Sequence, residues 1–217
     1  MRFQYSLDYF LLNTGGFDAQ INQAYCAVAT VAAVLNSLRY TKRFQEKEED
    51  LTWSFTFHLP VDPVYAPYPY ATQTDILASD CVRATVIEHG DGDEHATGLL
   101  APPYGLTLEQ SAKLLACHTS DGWVVRAQEV DGRLGLSNVR FDLKAALIDP
   151  DARVLVNYDR KGLGQQGGGH FSPLGAYDAA TDSFLILDVA KYKYPPVWVG
   201  AATLFAAMAT ADACGSE

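Results

Sequence analysis

The sequence has no apolar run long enough to cross a bilayer as a helix, no C-x-x-C pair, no internal repeat and a shortage of cations. Lys and Arg number 16 against 26 Asp and Glu, a formal net charge of −10. Nucleic acid binding needs a basic patch to neutralise phosphates, so this balance argues against it, and against an anionic membrane surface as well. Cysteine is scarce too. Cys26, Cys81, Cys117 and Cys214 are widely spaced, which indicates neither a zinc site nor a disulfide framework; one reactive thiol and three bystanders is the simpler expectation. The segment Met1 to Asp8 lacks the basic, long-apolar and small-residue pattern of a secretory signal. Cytoplasmic placement is therefore expected, with the periplasm as the alternative for a chain whose signal has been removed.

What is present suits an ordinary globular protein: 48% hydrophobic and 19% charged residues in a chain of 217, enough for one domain over 1–217 with a substantial core. The first part, to about residue 150, reads as helical. Val28, Val31, Ala32, Leu35 and Leu38 recur at three-and-four spacing, and alanines fill other sides, so a helix opening at Cys26 should be buried nearly all round. Lys42 to Asp50 is a charge run expected in a solvated turn or helix end, and Pro60 to Tyr70 holds four prolines and reads as a loop. Thr107-Leu108-Glu109-Gln110 has the capping-box form and marks a helix over about 107–119, with Gly122 as its stop. Cys117-His118 near its end reads as structural. Glu88 to His95 has the residue types of a metal site, but its glycines and lack of periodicity favour a surface loop.

From Arg153 the period changes. Val154–Tyr158, His170–Tyr177 and Ser183–Val189 are short runs rich in β-branched and aromatic residues, read as antiparallel strands. Helices first and strands later define an α+β protein.

Chemistry concentrates at three points. A thiol at the start of a helix meets backbone N–H groups without intrahelical partners and the positive end of the helix dipole, both of which favour the nucleophilic thiolate. Cys26 is thus a candidate nucleophile. In an antiparallel hairpin, opposite residues have a constant index sum, roughly 360 for a turn centred near Ala180. His170 and Asp188 nearly satisfy it, so they should fall opposite or close to each other, with the carboxylate holding one imidazole nitrogen while the other faces outward. A base, its orienter and a thiol from another element are the parts of a nucleophile triad. Gly167-Gly168-Gly169 before His170 suits close approach of a substrate. Gln20, six residues before Cys26, could donate to the oxygen of a tetrahedral intermediate beside the Cys26 N–H, an interval that matches papain-type cysteine peptidases.

Several blocks, taken together and in order, narrow the likeness. Gln20-Ile21-Asn22-Gln23-Ala24-Tyr25-Cys26-Ala27-Val28-Ala29, Val34–Leu38, Gly167–Pro173 and Leu187–Val199 resemble phytochelatin synthase, over about Asp8 to Asp212. The resemblance implies a papain-like fold, with a helical lobe carrying the nucleophile packed on an antiparallel sheet lobe carrying His170 and Asp188. It implies a γ-glutamylcysteine dipeptidyl transferase: Cys26 attacks the cysteinyl-glycine bond of glutathione, His170 protonates departing glycine, and Asp188 orients His170. A second glutathione, or water, then resolves the thioester. By the same likeness Asn157, Arg160, Gly169 and Asp212 hold the acyl group, with Arg160 forking onto the glutamyl carboxylate. No built-in metal or cofactor is implied, since cadmium or zinc enters as metal-glutathione thiolate substrate, and a homodimer is one assembly to expect. The lack of a cysteine-rich C-terminal domain points to the short bacterial type, where glutathione hydrolysis often outweighs polymerisation. Lys191 stands where many members have arginine, keeping the charge and losing the planar fork.

Two rivals stay open on the residues alone: a papain-like endopeptidase, because a triad does not choose its substrate, and a metal-thiolate or thiol-peptide binding protein that performs no catalysis.

Overall fold

The computed structural model describes residues 7–38, 71–83, 99, 104–119, 123–131 and 133–210. The charge run at 42–50, the proline stretch at 60–70, the histidine-bearing stretch at 88–95, Gly122, Asp212 and Cys214 lie outside the described residues.

Two helices open the chain, α1 (Leu7–Gly16) and α2 (Cys26–Leu38). Every residue of α2 is buried, as its apolar run requires. Two short helices, α3 (Gln73–Ala78) and α4 (Asp80–Val82), follow, the first capped by the Thr72 hydroxyl accepting from Asp75 N. Helix α5 (Leu108–Ala116) begins as its sequence dictates: Thr107 Oγ1 accepts from Gln110 N while the Gln110 side chain accepts from Thr107 N. Its C-cap is Cys117, whose backbone N–H still bonds into the helix. The expectation of bystander cysteines is corrected here: Cys81 and Cys117 form a disulfide across a Cα separation of 5.7 Å, joining α4 to the end of α5. Cys26 takes no part in a disulfide.

Helix α6 (Leu136–Ile148) leads into strands β1 (Leu155–Asp159), β2 (Gly169–Asp178), β3 (Ser183–Ile186) and β4 (Val197–Gly200), and then α7 (Ala201–Met208). The sheet is antiparallel throughout, in the order β1-β2-β3-β4. The protein is α+β, as expected. Residue alternation gives the sheet two apolar faces. Phe171, Ala176, Leu185 and Leu187 join the core around α2, whereas Val156, Leu174, Phe184 and Ile186 join a second core with Leu147, Leu204 and Ala207. Leu174 and Ala176 take opposite faces because the β2–β3 register shifts between them. Gly175 sits in that irregularity, where a Cβ would come within 3.1 Å of Leu187.

The hairpin expectation holds near the turn, where Asp178 pairs with Ser183 and Tyr177 with Phe184. Farther out the index sum stays at 360, but the strand pairing is shorter than expected. The ladder ends at Leu174 and Ile186, with one further bond from Leu187 N to Pro173 O, so His170 pairs across β1 with Tyr158 instead of across β3. Asp188 lies two residues past β3. Among the described residues no helix is long and apolar enough to cross a membrane.

Candidate active site

The nucleophile helix is set by the turn before it. Tyr25 N donates to Asn22 O and Ala24 N to the Asn22 side chain, and Ala29 N closes the first helical bond onto Tyr25 O. Cys26 is thereby the first helical residue, buried, with its thiol in the core around α2. Gln73 holds the same turn from α3: its side-chain amide donates to Ala19 O at 2.9 Å and accepts from Ile21 N at 3.1 Å. Gln20 N donates to Val189 O, which ties the turn to the segment bearing Asp188. The Gln20 amide donates to Asn22 O, Gln23 O and the Tyr192 hydroxyl, the last at 2.9 Å.

His170 and Asp188 are both buried and 2.9 Å apart, His170 Nε2 to Asp188 Oδ1. Their meeting does not need the ladder. Asp188 is placed by the backbone turn after β3, where Ala190 N donates to Oδ1 at 2.8 Å. The Tyr158 ring packs edge-on against the imidazole, centroids 5.7 Å apart at 80°. Burial above all raises the Tyr158 phenol well above its usual range, and the negative charges of Asp188 and a Cys26 thiolate add to that rise. One phenol therefore feels both the thiol and the carboxylate. Asp188 is held at about 2: burial alone would raise it, but hydrogen bonds from His170 and Arg160, together with their charges, outweigh burial.

Arg160, assigned by the likeness to the family to the acyl group, lies next to the His170–Asp188 pair. It opens a 3-10 turn, Arg160–Leu163, between β1 and the glycine loop, and its guanidinium is fully buried. Its fork meets Asp188, Nη1 to Oδ2 at 2.7 Å and Nη2 to Oδ1 at 3.1 Å. The reason is electrostatic: a buried carboxylate and a buried guanidinium within reach pair with each other. Asn157 lies on β1 opposite Phe171, and Gly169 opens β2 opposite Asp159, both within two residues of the Tyr158–His170 rung. Lys191 reaches back to the Phe17 carbonyl and sits 4.2 Å from the centre of the Phe17 ring. His118 is structural as read: it is buried, its ring bonds to the Ile76 backbone, and burial lowers its proton affinity. Among the described residues no group of three or more His, Cys, Asp or Glu could hold a metal ion.

The sequence reading missed Tyr158, Gln73, Tyr192 and Tyr194. Only Tyr158 had a usable signal, because a strand at 154–158 preceding the His170 strand is its natural antiparallel neighbour. The others act across gaps in the chain that periodicity does not report.

An α+β domain here carries a buried thiol at a helix start and a buried His–Asp pair, the residue types that a cysteine-nucleophile site requires. Comparison with known proteins narrows it. The phytochelatin synthase family model matches residues 3–217. The chain is 43% identical over 196 residues to glutathione gamma-glutamylcysteinyltransferase 1 of Triticum aestivum, a match over 90% of this chain and 32% of that protein. It is 40% identical over 108 residues to glutathione gamma-glutamylcysteinyltransferase 3 of Lotus japonicus, covering 50% of this chain and 22% of the relative. A Schizosaccharomyces pombe glutathione gamma-glutamylcysteinyltransferase is 30% identical over 113 residues, 52% of this chain and 26% of its own. The chain belongs to the phytochelatin synthase family. Its matches span no more than about a third of those curated relatives.

Proposed function

We propose that this protein is a papain-like γ-glutamylcysteine dipeptidyl transferase acting on glutathione. The observation that carries the reading is the buried His170–Asp188 pair, at 2.9 Å, with the helix that begins at Cys26 packed against the strand that carries His170, in a chain of this family. With Nε2–H given to Asp188, the outward Nδ1 of His170 is the nitrogen left to take the Cys26 proton. The thiolate attacks the carbonyl carbon of the cysteinyl-glycine bond. The Cys26 backbone N–H and one Gln20 amide hydrogen receive the oxyanion, the latter drawn from its resting share among Asn22, Gln23 and Tyr192 oxygens. The imidazolium returns its proton to the departing glycine amine, leaving a γ-glutamylcysteinyl thioester on Cys26.

The thioester then passes to the α-amine of a second glutathione, free or as a cadmium or zinc thiolate, or to water. Asn157, Gly169 and Asp212 are the residues proposed to hold the acyl group, and metal enters only with the substrate. The Cys81–Cys117 disulfide supports placement in an oxidising compartment, the periplasmic alternative of the sequence reading.

The test is incubation with glutathione, with and without cadmium, quantifying glycine, γ-glutamylcysteine and the dimeric phytochelatin by mass spectrometry. Glycine release that disappears in Cys26→Ala is the expected result. Dimer formation with cadmium marks transfer, and γ-glutamylcysteine without dimer marks hydrolysis on the same acyl-enzyme. Glycine release unaffected by Cys26→Ala, or none from the unaltered chain, would sink the reading.

A further inference from the structure

Arg160 sits in a seat built for a guanidinium. Nη1 donates to Asp188 Oδ2 at 2.7 Å and to the Gln165 side chain at 2.8 Å, while Nη2 donates to Asp188 Oδ1 at 3.1 Å and lies 2.9 Å from His170 Nε2. The backbone is pinned as well: Arg160 N donates to Gly168 O and Gln165 N to Arg160 O. The Tyr194 ring lies 5.0 Å from the guanidinium carbon, and its hydroxyl accepts from Gln166 N. A Cβ on Gly167 would come within 2.9 Å of Arg160 Cδ, so the glycine loop also fits around this side chain.

His170 Nε2 therefore has two neighbours of opposite kind at equal distance. The carboxylate can only accept a proton and the guanidinium can only donate one. If Nε2 gives its proton to Asp188, Nδ1 is left as a base. If Nε2 accepted from Arg160, the proton would sit on Nδ1 and no base would remain for a thiol. Which tautomer holds depends on the carboxylate staying in place, and the Arg160 fork on both Asp188 oxygens holds it there. The charged and titratable groups around His170 are Asp188 from the segment after β3, Arg160 from the 3-10 turn and Tyr158 from β1, with Cys26 entering from α2.

We propose that Arg160 is a positioning residue that acts through Asp188 and His170, not a ligand for the substrate carboxylate. It locks Asp188 in the orientation that takes the Nε2 proton, and its charge beside the ring speeds surrender of the second proton that the imidazolium carries during the reaction. This role rests on the Cys26–His170–Asp188 reading above.

The test separates the two. Without substrate, the rate of Cys26 alkylation by iodoacetamide is followed from about pH 4 to 10 in the unaltered protein, Arg160→Lys and Arg160→Met, because a thiolate–imidazolium pair gives a plateau between two limbs. With substrate, kcat and KM for glycine release are measured. In Arg160→Met the basic limb is expected to move up by about one to two pH units, since a like charge beside the imidazolium has been removed. In both variants kcat falls roughly 100-fold or more while KM changes by less than about threefold. Circular dichroism checks folding; should the methionine variant not fold, the lysine variant decides through its kcat and KM, because it keeps the charge and loses the fork. A tenfold or larger rise in KM with unchanged alkylation limbs, roughly the signature of lost ground-state binding, overturns the proposal. A single limb near about 8.5 in the unaltered protein, the behaviour of an ordinary thiol, overturns the underlying triad instead and the proposal with it.

Discussion

Stability should fall as pH rises from 4 to 7, and one residue should be responsible. Asp8, in the first turn of α1, has its carboxylate buried against Arg153, Oδ1 to Nη1 at 3.1 Å. Arg153 also donates to Ser37 at the end of α2 and to Pro150 O, so this contact ties three segments together. Burial raises Asp8 to about 7 from its ordinary value of 3.8, Arg153 opposes that rise, and Asp149 adds to it. The native state then keeps a proton that the unfolded chain releases above pH 3.8, so stability is fully present below that value and is lost as pH climbs to 7. Three pH units at about 1.4 kcal/mol each make the loss about 4 kcal/mol. Asp188, held at about 2, contributes in the other direction: its part, about 2 kcal/mol, is present above pH 3.8 and is lost as pH falls toward 2. The two windows abut without overlapping. Urea unfolding followed by fluorescence of the three tryptophans, in half-unit steps from about pH 4 to 8, compares the unaltered chain with Asp8→Asn. The stability difference between the two should change with a slope approaching about 1.4 kcal/mol per pH unit across the window and flatten above 7. Parallel curves would refute the reasoning, because the net charge of −10 acts on both chains alike.

Three further outcomes follow from other contacts. Gln73→Leu removes both bonds to the turn before Cys26 and should lower stability by about 1–3 kcal/mol and glycine release by roughly tenfold or more, read by thermal midpoint and kcat; an unchanged kcat would show that the turn sets itself. Reducing the Cys81–Cys117 bridge, or replacing both residues with serine, frees a 36-residue loop and should cost about 3–4 kcal/mol in urea unfolding, so coincident curves for oxidised and reduced protein would contradict it. Gly162→Ala places a Cβ 2.8 Å from that of Ala207 and 3.1 Å from its Cα, pushing α7 from the 3-10 turn, and should destabilise by about 1–3 kcal/mol. An equal or higher melting temperature would mean that the contact yields freely.

Local signals were legible in the sequence and distant ones were not. The burial of α2 followed from an apolar run that leaves no polar face, and the α5 start from a capping box that closes within four residues. The His170–Asp188 meeting was reached by hairpin counting, since the register keeps its index sum within one residue across the irregularity, although the pair itself is joined past the end of β3. Helix α6 gave no clean stripe, because Phe141 and Ile148 face solvent while Val139 and Leu147 are buried. Strand β4 is four residues long and follows two prolines, too short for alternation to register. The disulfide joins cysteines 36 residues apart, a spacing that carries no local mark. Arg160 illustrates the same limit: its residue type suits either a substrate carboxylate or a protein one, and its contact with Asp188, 28 residues on, carries no local mark.

The side chain of Asn36 makes both bonds of a strand bridge, donating to Ala71 O at 3.0 Å and accepting from Ala71 N at 2.8 Å. A side chain thus stands in for a strand at the end of α2, and Asn36 couples the helix that begins with Cys26 to the segment leading into α3, whose Gln73 holds the turn before that same cysteine.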